Sequence, residues 1–261
     1  LWEASDVTGQ TITPSVEGGS VTSTIKVIGQ QELITFSGSK DQRFSLLIAE
    51  GTFGGAVTLY SPSGSQVTSE TFAKGEKAFR EPITLPATGT YTLLIDPTGE
   101  QTGSVKLTAY AFEDLSGSFS SIEDQQKISI PVPGQVARYT VSATAGQKVA
   151  LRTLESAYSG EYKVEWFDPA GKSLKWDWWQ PAGNKFWEPV KFPATGTYTL
   201  LIDPWRWHTG SVSVDLWEAS DVTGQTITPS VEGGSVTSTI KVIGQQELIT
   251  FSGSKDQRFS L

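Results

Sequence analysis

Residues Leu85–Pro97 read LPATGTYTLLIDP, and residues Phe192–Pro204 read FPATGTYTLLIDP. Within the first copy Tyr91, Leu93 and Ile95 alternate with Thr92, Leu94 and Asp96. That period of two places one set of side chains inside and the other outside a half-buried strand. Ahead of the strand, Pro86, Ala87, Thr88 and Gly89 spell a turn, because proline fixes φ and glycine accepts positive φ. A turn leading into an alternating strand, written twice at a spacing of 107, indicates a β fold and an internal duplication.

The duplication extends outward from this motif. LYSPSG at Leu59–Gly64 matches WFDPAG at Trp166–Gly171, and TGSV at Thr102–Val105 recurs at Thr209–Val212. SGSKDQRFSL at Ser37–Leu46 matches SATAGQKVAL at Ser142–Leu151 with an offset of 105. DVTG at Asp6–Gly9 matches DLSG at Asp114–Gly117 with an offset of 108, so small length changes fall between strands, as loops allow. A longer period overlies this one: Leu216–Leu261 repeats Leu1–Leu46 without a difference, at a spacing of 215. The expected units are a first repeat at 1–108, a second at 109–215, and a partial third at 216–261 folded as residues 1–46 are. The third lacks half the strands of a sandwich and could not bury a core alone. Continuation of the array, or a neighbouring chain, is expected to complete it.

Each repeat reads as eight or nine short strands separated by turn residues, the pattern of an antiparallel sandwich. In the first, strands are expected at Thr11–Pro14, Val21–Ile28, Leu33–Ser37, Phe44–Ile48, Val57–Tyr60, Thr68–Phe72, Phe79–Leu85, Tyr91–Ile95 and Val105–Ala111. Between Val105 and Gly117 the chain runs without a spacer rich in Gly, Ser or Pro. Short connections restrict relative motion, so a stiff rod is expected. The fold class is therefore all-β, with tandem β-sandwich domains in a repeat array.

Composition narrows the chemistry. The 261 residues contain no cysteine and no methionine, so neither disulfides nor thiolates are in play. The chain opens on Leu1, and it is read as a piece of something longer, with any export signal upstream. No stretch approaches the ~18 apolar residues of a membrane span, so no membrane insertion is expected. A net charge of −8 with scattered acids argues against nucleic acid, which would select a basic face.

The motif PATGTYTLLIDP followed by TGSV resembles β-sandwich repeats found in tandem in large secreted bacterial proteins. The resemblance is to the pre-peptidase C-terminal type of domain and to repeats that accompany RHS-type surface proteins. It implies a jelly-roll-like sandwich, secretion, and an accessory, adhesive or structural role without catalytic residues. Some relatives bind calcium or sugar, but no residue string here matches a diagnostic ligand set, so no cofactor is expected.

Other motifs carry little chemistry. LPATG at Leu85–Gly89 matches a cell-wall sorting signal, yet a strand follows it instead of an apolar segment and basic tail. His208 is the one histidine and stands where Gln101 stands in the first repeat, which reads as an exposed loop residue. A triad or zinc site would need further partners. Glu113 with Asp114 precedes a turn, and Glu123 with Asp124 lies in a loop. Asn184 is the sole asparagine and no N-glycosylation sequon occurs. No residue set supplies nucleophile, base and oxyanion donors together, so no hydrolysis of esters, glycosides or peptides is expected.

The tryptophans stand out. Seven of the eight in one unit of 215 residues fall in the second repeat. Trp166 and Trp179 stand where Leu59 and Phe72 stand and read as core. Trp176, Trp178, Trp187, Trp205 and Trp207 stand where Ser69, Thr71, Arg80, Thr98 and Glu100 stand. Polar counterparts at all five predict a solvent-facing aromatic patch. The turn at Pro181–Asn184 is expected to bring Trp187 opposite Trp178 in a hairpin. Such a patch marks an interaction site. The expected function is an extracellular or cell-surface structural repeat protein whose partners are neighbouring copies of itself. The alternative is a carbohydrate-binding adhesin module that stacks polysaccharide on the tryptophans.

Overall fold

In the computed structural model, residues 4–181 and 183–260 are described. The alternating segments form nine strands in the first repeat: β1 (Val7–Thr11), β2 (Gly19–Ile25), β3 (Glu32–Gly38), β4 (Arg43–Ala49), β5 (Gly55–Tyr60), β6 (Gln66–Phe72), β7 (Ala78–Thr84), β8 (Gly89–Pro97) and β9 (Gly103–Phe112). They make one sheet in the order β1-β3-β8-β5-β6 and another in the order β2-β9-β4-β7. From β2 to β9 the chain changes sheet at every connection except the β5–β6 hairpin, which is the jelly-roll order. β1 is an addition, running parallel to β3; every other pairing within the repeat's sheets is antiparallel.

The second repeat follows the same path nine strands later: β10 (Leu115–Ser118), β11 (Gln125–Ile130), β12 (Ala137–Ala143), β13 (Lys148–Leu154), β14 (Tyr162–Phe167), β15 (Ser173–Trp179), β16 (Lys185–Lys191), β17 (Gly196–Pro204) and β18 (Gly210–Glu218). Its sheets are β10-β12-β17-β14-β15 and β11-β18-β13-β16. The protein is all-β, with no helix among the described residues.

Each sandwich has its own core, filled by the inward set of alternate residues from both sheets. In the first, Phe36 of β3 stacks on Phe44 of β4 and on Tyr91 of β8, with centroids 4.9 and 5.3 Å apart. In the second, Phe192 stacks on Tyr198 at 3.8 Å and meets Trp166 edge-on at 5.4 Å.

The duplicated motif holds three loops together at the end of each core. The Tyr91 hydroxyl donates to the Ala87 carbonyl (2.7 Å) and accepts from the Ala87 amide (3.1 Å). Tyr198 closes the same ring on Ala194 at 2.6 and 3.1 Å. Thr88 Oγ1 accepts from the Lys40 amide and Thr195 Oγ1 from the Ala145 amide, tying in the loop before β4 or β13. Gly89 lies against the Pro62 ring and Gly196 against the Pro169 ring, so closely that a Cβ would sit 2.8 and 2.7 Å away. Leu85, the first residue of the LPATG string, is fully buried, so the string is part of the fold.

Three expectations change. The first strand is Val7–Thr11 and not Thr11–Pro14: the ladder to β3 ends with the Ile12 amide on the Thr35 carbonyl, just before Pro14, which has no N–H to donate. β15 and β16 do not form a hairpin, because β15 pairs with β14 in one sheet and β16 with β13 in the other. Residue 182 of that connection lies outside the described residues. Residues 216–261 reproduce only part of residues 1–46. β19 (Val222–Thr226) pairs β20 (Glu247–Thr250) in the parallel register of β1 and β3, including its irregularity. Counterparts of β2 and β4 do not form among the described residues. In the first repeat both strands pair with β9, and residues 216–261 correspond to a stretch that does not include β9.

Candidate functional site: the joint and the tryptophan face

Only Glu113 and Asp114 separate β9 from β10. Beside them the loop before β12 seats Gly134 on the outer side of β7. A Cβ at Gly134 would lie 2.5 Å from Pro82 Cγ and 3.2 Å from Phe79 Cζ. The Ser45 hydroxyl of β4 donates to the Pro133 carbonyl at 2.8 Å. Arg43 Nε lies 3.7 Å from the Asp114 carboxylate, and Gln135 Nε2 donates to the Glu113 carbonyl at 2.7 Å.

The next joint repeats this construction. Ala219, Ser220 and Asp221 separate β18 from β19. Gly244 seats on β16, its Cβ position 2.6 Å from Pro189 Cγ and 3.2 Å from Phe186 Cζ. Lys148, the counterpart of Arg43, pairs with Asp221, the counterpart of Asp114. Gln245 donates to the Ser220 carbonyl at 2.9 Å, as Gln135 does to Glu113. The ion pairs are partly exposed and contribute modestly, so their role is chiefly to set orientation. The close glycine contact sets the separation.

The five predicted tryptophans divide three ways. Trp176, Trp178 and Trp205 are exposed, the first at 56%. Trp178 meets Trp205 edge-on with centroids 6.4 Å apart, across the outer face of the sheet that holds β15 and β17. Lys163 Nζ lies 5.3 Å from the Trp176 ring centroid, and the Arg206 guanidinium 5.1 Å from that of Trp205.

Trp187 corrects the expectation. It is 5% exposed, belongs to the second core, and meets Trp179 edge-on at 5.3 Å. Its counterpart Arg80 also points inward along the sandwich, but reaches out at the sheet edge to Thr68 and Glu70. A long cationic stem can occupy an inward position while its head finds polar partners, so polarity at position 80 did not mean exposure.

Trp207 has a partner that the sequence did not reveal. Half-buried, it meets Phe79 of the first sandwich edge-on at 6.4 Å and so belongs to the first joint. Phe79 is 5% exposed under this cover, whereas its counterpart Phe186 is 38% exposed. Phe79 in an outer strand position, and Pro82 three residues on, past the irregularity in the pairing of β7 with β4, were the available signals for this face. His208 is half-buried and not exposed: its Nδ1 lies 3.0 Å from Ser159 Oγ, which also accepts from the Thr209 amide. Gln101 plays the same bracing part in the first sandwich by accepting from the Gly54 amide.

Charge on the tryptophan face is arranged in rows. Lys163 donates to Glu165 at 2.5 Å. Burial works against the charged form of Glu165, but hydrogen bonds from Lys163 and Ser173 and the Lys163 charge hold its carboxyl below the usual range. Asp203, opposite Lys163 on β17, is held above its usual range because burial outweighs the attraction of Lys163, Arg138 and Arg43; Asp114 adds repulsion. Glu81 of the first sandwich also faces it across the joint. A carboxyl raised in the folded state contributes stability below its unfolded value, near 3.8, and loses it as pH rises through the folded value. Asp203→Asn should therefore raise the melting temperature of the second sandwich at neutral pH and flatten its decline from pH 4 upward. Calorimetry across that range checks this, and an unchanged slope would contradict it.

Among the described residues no group of three His, Asp or Glu side chains is placed to hold a metal ion. No helix there is long and apolar enough to cross a membrane.

No family model matches the chain. No curated protein sequence matches it either. Solved structures do. The pre-peptidase C-terminal domain of a collagenase from Bacillus anthracis is 13% identical, with 42% of this chain and 98% of that one covered and a TM-score of 0.31. A periplasmic inhibitor of g-type lysozyme from Aeromonas hydrophila is 12% identical, covering 41% and 100% at a TM-score of 0.30. A Clostridium perfringens structure comprising an M60 catalytic domain with two CBM51 domains is 6% identical, covering 76% and 34% at a TM-score of 0.26.

Proposed function

We propose that this chain is a length of an extracellular structural array, a stiff rod of jelly rolls stacked through one recurring joint, and that it is not an enzyme. The observation that carries this reading is the joint itself. Two successive connections, one between the two repeats and one leading into the third, use the same glycine-on-proline seat and an ion pair at corresponding positions. Direct connections between sandwiches leave little room for bending. Stability in such an array is shared between domain cores and nearest-neighbour interfaces.

If the 215-residue period seen between residues 1–46 and 216–261 continues, the exposed tryptophans recur once in each period, and a weak contact repeated along a rod sums to firm association. Trp176, Trp178 and Trp205 then pack against neighbouring arrays. The double change Trp176→Ser, Trp178→Thr restores the first repeat's residues at two outward positions. It should leave both sandwiches folded and loosen lateral association at least about tenfold, as expected for the loss of two aromatic anchors. Negative-stain microscopy and sedimentation of wild-type and double-mutant material decide it; bundles unchanged by the double mutant would sink the tryptophan role.

A second reading is favoured by the Trp178–Trp205 pair, with cations over Trp176 and Trp205. Open aromatic faces beside charged groups also suit the stacking and hydrogen bonding of sugar rings. Tryptophan fluorescence that shifts on adding soluble polysaccharide, and stops shifting in the double mutant, would favour this reading over lateral packing.

A further inference from the structure

Glu81 and Pro82 bulge out of the pairing of β7 with β4, two residues set against Ser45 alone. A bulge re-aims the side chains it carries, and this one lies at the first joint. Pro82 takes the Gly134 seat, Ser45 donates to the Pro133 carbonyl, and Phe79 meets Trp207. Glu81 therefore stands between two contacts made to the second sandwich, with its side chain still open to solvent. Opposite it the second sandwich places Asp203, half-buried near the end of β17, and Arg206 in the turn that follows. Arg206 has a φ of 55°, which residues with a side chain seldom adopt, where the first repeat has Gly99 at 66°. Its guanidinium lies 5.1 Å from the Trp205 ring centroid and 5.8 Å from that of Trp207, so the two rings hold it at the joint.

Two carboxyls thus face each other across the joint, and the cations around them do not fully offset the pair. Desolvation lifts Glu81 above the ordinary glutamate value of 4.5, and the Asp203 charge lifts it further. Arg80 and Arg206 oppose this, while Glu70 adds to it. Asp203 is lifted by burial, with Lys163, Arg138 and Arg43 pulling it down and Asp114 pushing it up. We propose that the first joint is a proton-operated clasp, in which the Glu81–Asp203 pair takes up a proton in mildly acidic surroundings and locks the two sandwiches at a fixed angle.

Closing the joint brings the pair together and desolvates Glu81, so the closed joint binds the proton more tightly than the open one. A carboxyl raised on closing contributes fully below its ordinary value, and its contribution is lost as pH rises through the raised value. The rod is therefore stiffer in acid and gives at neutral pH, where both carboxyls are charged. This clasp rests on the reading of the joint as the element that fixes the rod's angle, and adds what controls it. It needs no tryptophan on the outer face to touch a neighbour, so it stands apart from the lateral association proposed above.

The chain has no cysteine, so spin labels can be placed through Ser63→Cys and Ala170→Cys, exposed residues at corresponding turns of the two sandwiches. Pulsed dipolar spectroscopy on the dilute full chain then reads the distance distribution between the sandwiches. From neutral pH down to pH 4.5 the open fraction should fall by up to about tenfold per pH unit as the pair takes up one proton. Glu81→Gln, which removes one of the two charges, should show the narrow acid distribution at both pH values. A wild-type distribution that does not narrow in acid, or a Glu81→Gln chain that narrows just as wild type does, would overturn the clasp. Gly134→Leu tells that failure from failure of the joint itself. It should give a broad distribution at both pH values, whereas a distribution like the wild type's at both would remove joint and clasp together.

Discussion

A chain carrying Gly134→Leu is expected to keep both sandwiches and lose the fixed angle between them. Gly134 has a φ of 84°, so any side chain is strained there, and its Cβ would fall 2.5 Å from the Pro82 ring and 3.2 Å from Phe79. Backbone strain alone amounts to about 1–2 kcal/mol. The collision is the larger effect, because the proline ring is rigid and belongs to the other sandwich. Relief comes most easily by prising the loop off β7, which also parts Trp207 from Phe79 and Arg43 from Asp114. Gly146→Leu makes the matched control: its φ is 91° but nothing lies within 4 Å of its Cβ. X-ray scattering should show a broadened distance distribution for Gly134→Leu and an unaltered one for Gly146→Leu. Identical curves for both would mean that this contact does not fix the angle between the two sandwiches.

The second large effect is expected from Gly196→Val. Gly196 opens β17 with a φ of 156°, and its Cβ would lie 2.7 Å from Pro169 Cγ and 2.9 Å from Pro169 Cβ. Such backbone conformations are nearly confined to glycine and cost about 1–3 kcal/mol otherwise. Displacing Pro169 also disturbs the turn that Tyr198 closes on Ala194. At about 4–8 °C per kcal/mol for a domain of this size, the second sandwich should melt about 10 °C lower or more. Gly171→Val, at a φ of 80° with nothing nearby, should cost distinctly less. Calorimetry that finds the two variants alike would remove the proline contact as the reason for the glycine.

These glycines show where reading the sequence succeeds and where it stops. Gly89 and Gly196 sat inside a repeated turn-and-strand motif, and their turn role was legible from local chemistry. Gly134 carried no such mark. What it touches is a proline 52 positions away in another sandwich, and nothing in its neighbours implies that contact. The tryptophans divide likewise. Trp176 and Trp178 lie on a strand whose facing follows from alternation, with Trp179 turned into the core beside them. Trp187 was misassigned because Arg80 occupies the same inward position while its guanidinium reaches the edge. Trp205 and Trp207 stand two apart in one turn, yet one is open and the other lies against Phe79.

From the sequence alone came the all-β class, the doubling at 107 and the identical segment at 215, together with the turn that ends in Tyr91 and Tyr198. Those properties are local: alternation, turn residues and repetition are written along the chain and need no partner. The tertiary structure decided which sheet each strand joins, which tryptophans remain exposed, and that the joints are built alike. It also decided that residues 216–261, identical to residues 1–46, adopt only part of their fold. The physical reason is that a strand's hydrogen bonds and its buried face are completed by distant segments. The same 46 residues therefore form a core beside residues 47–112 and an open face without them.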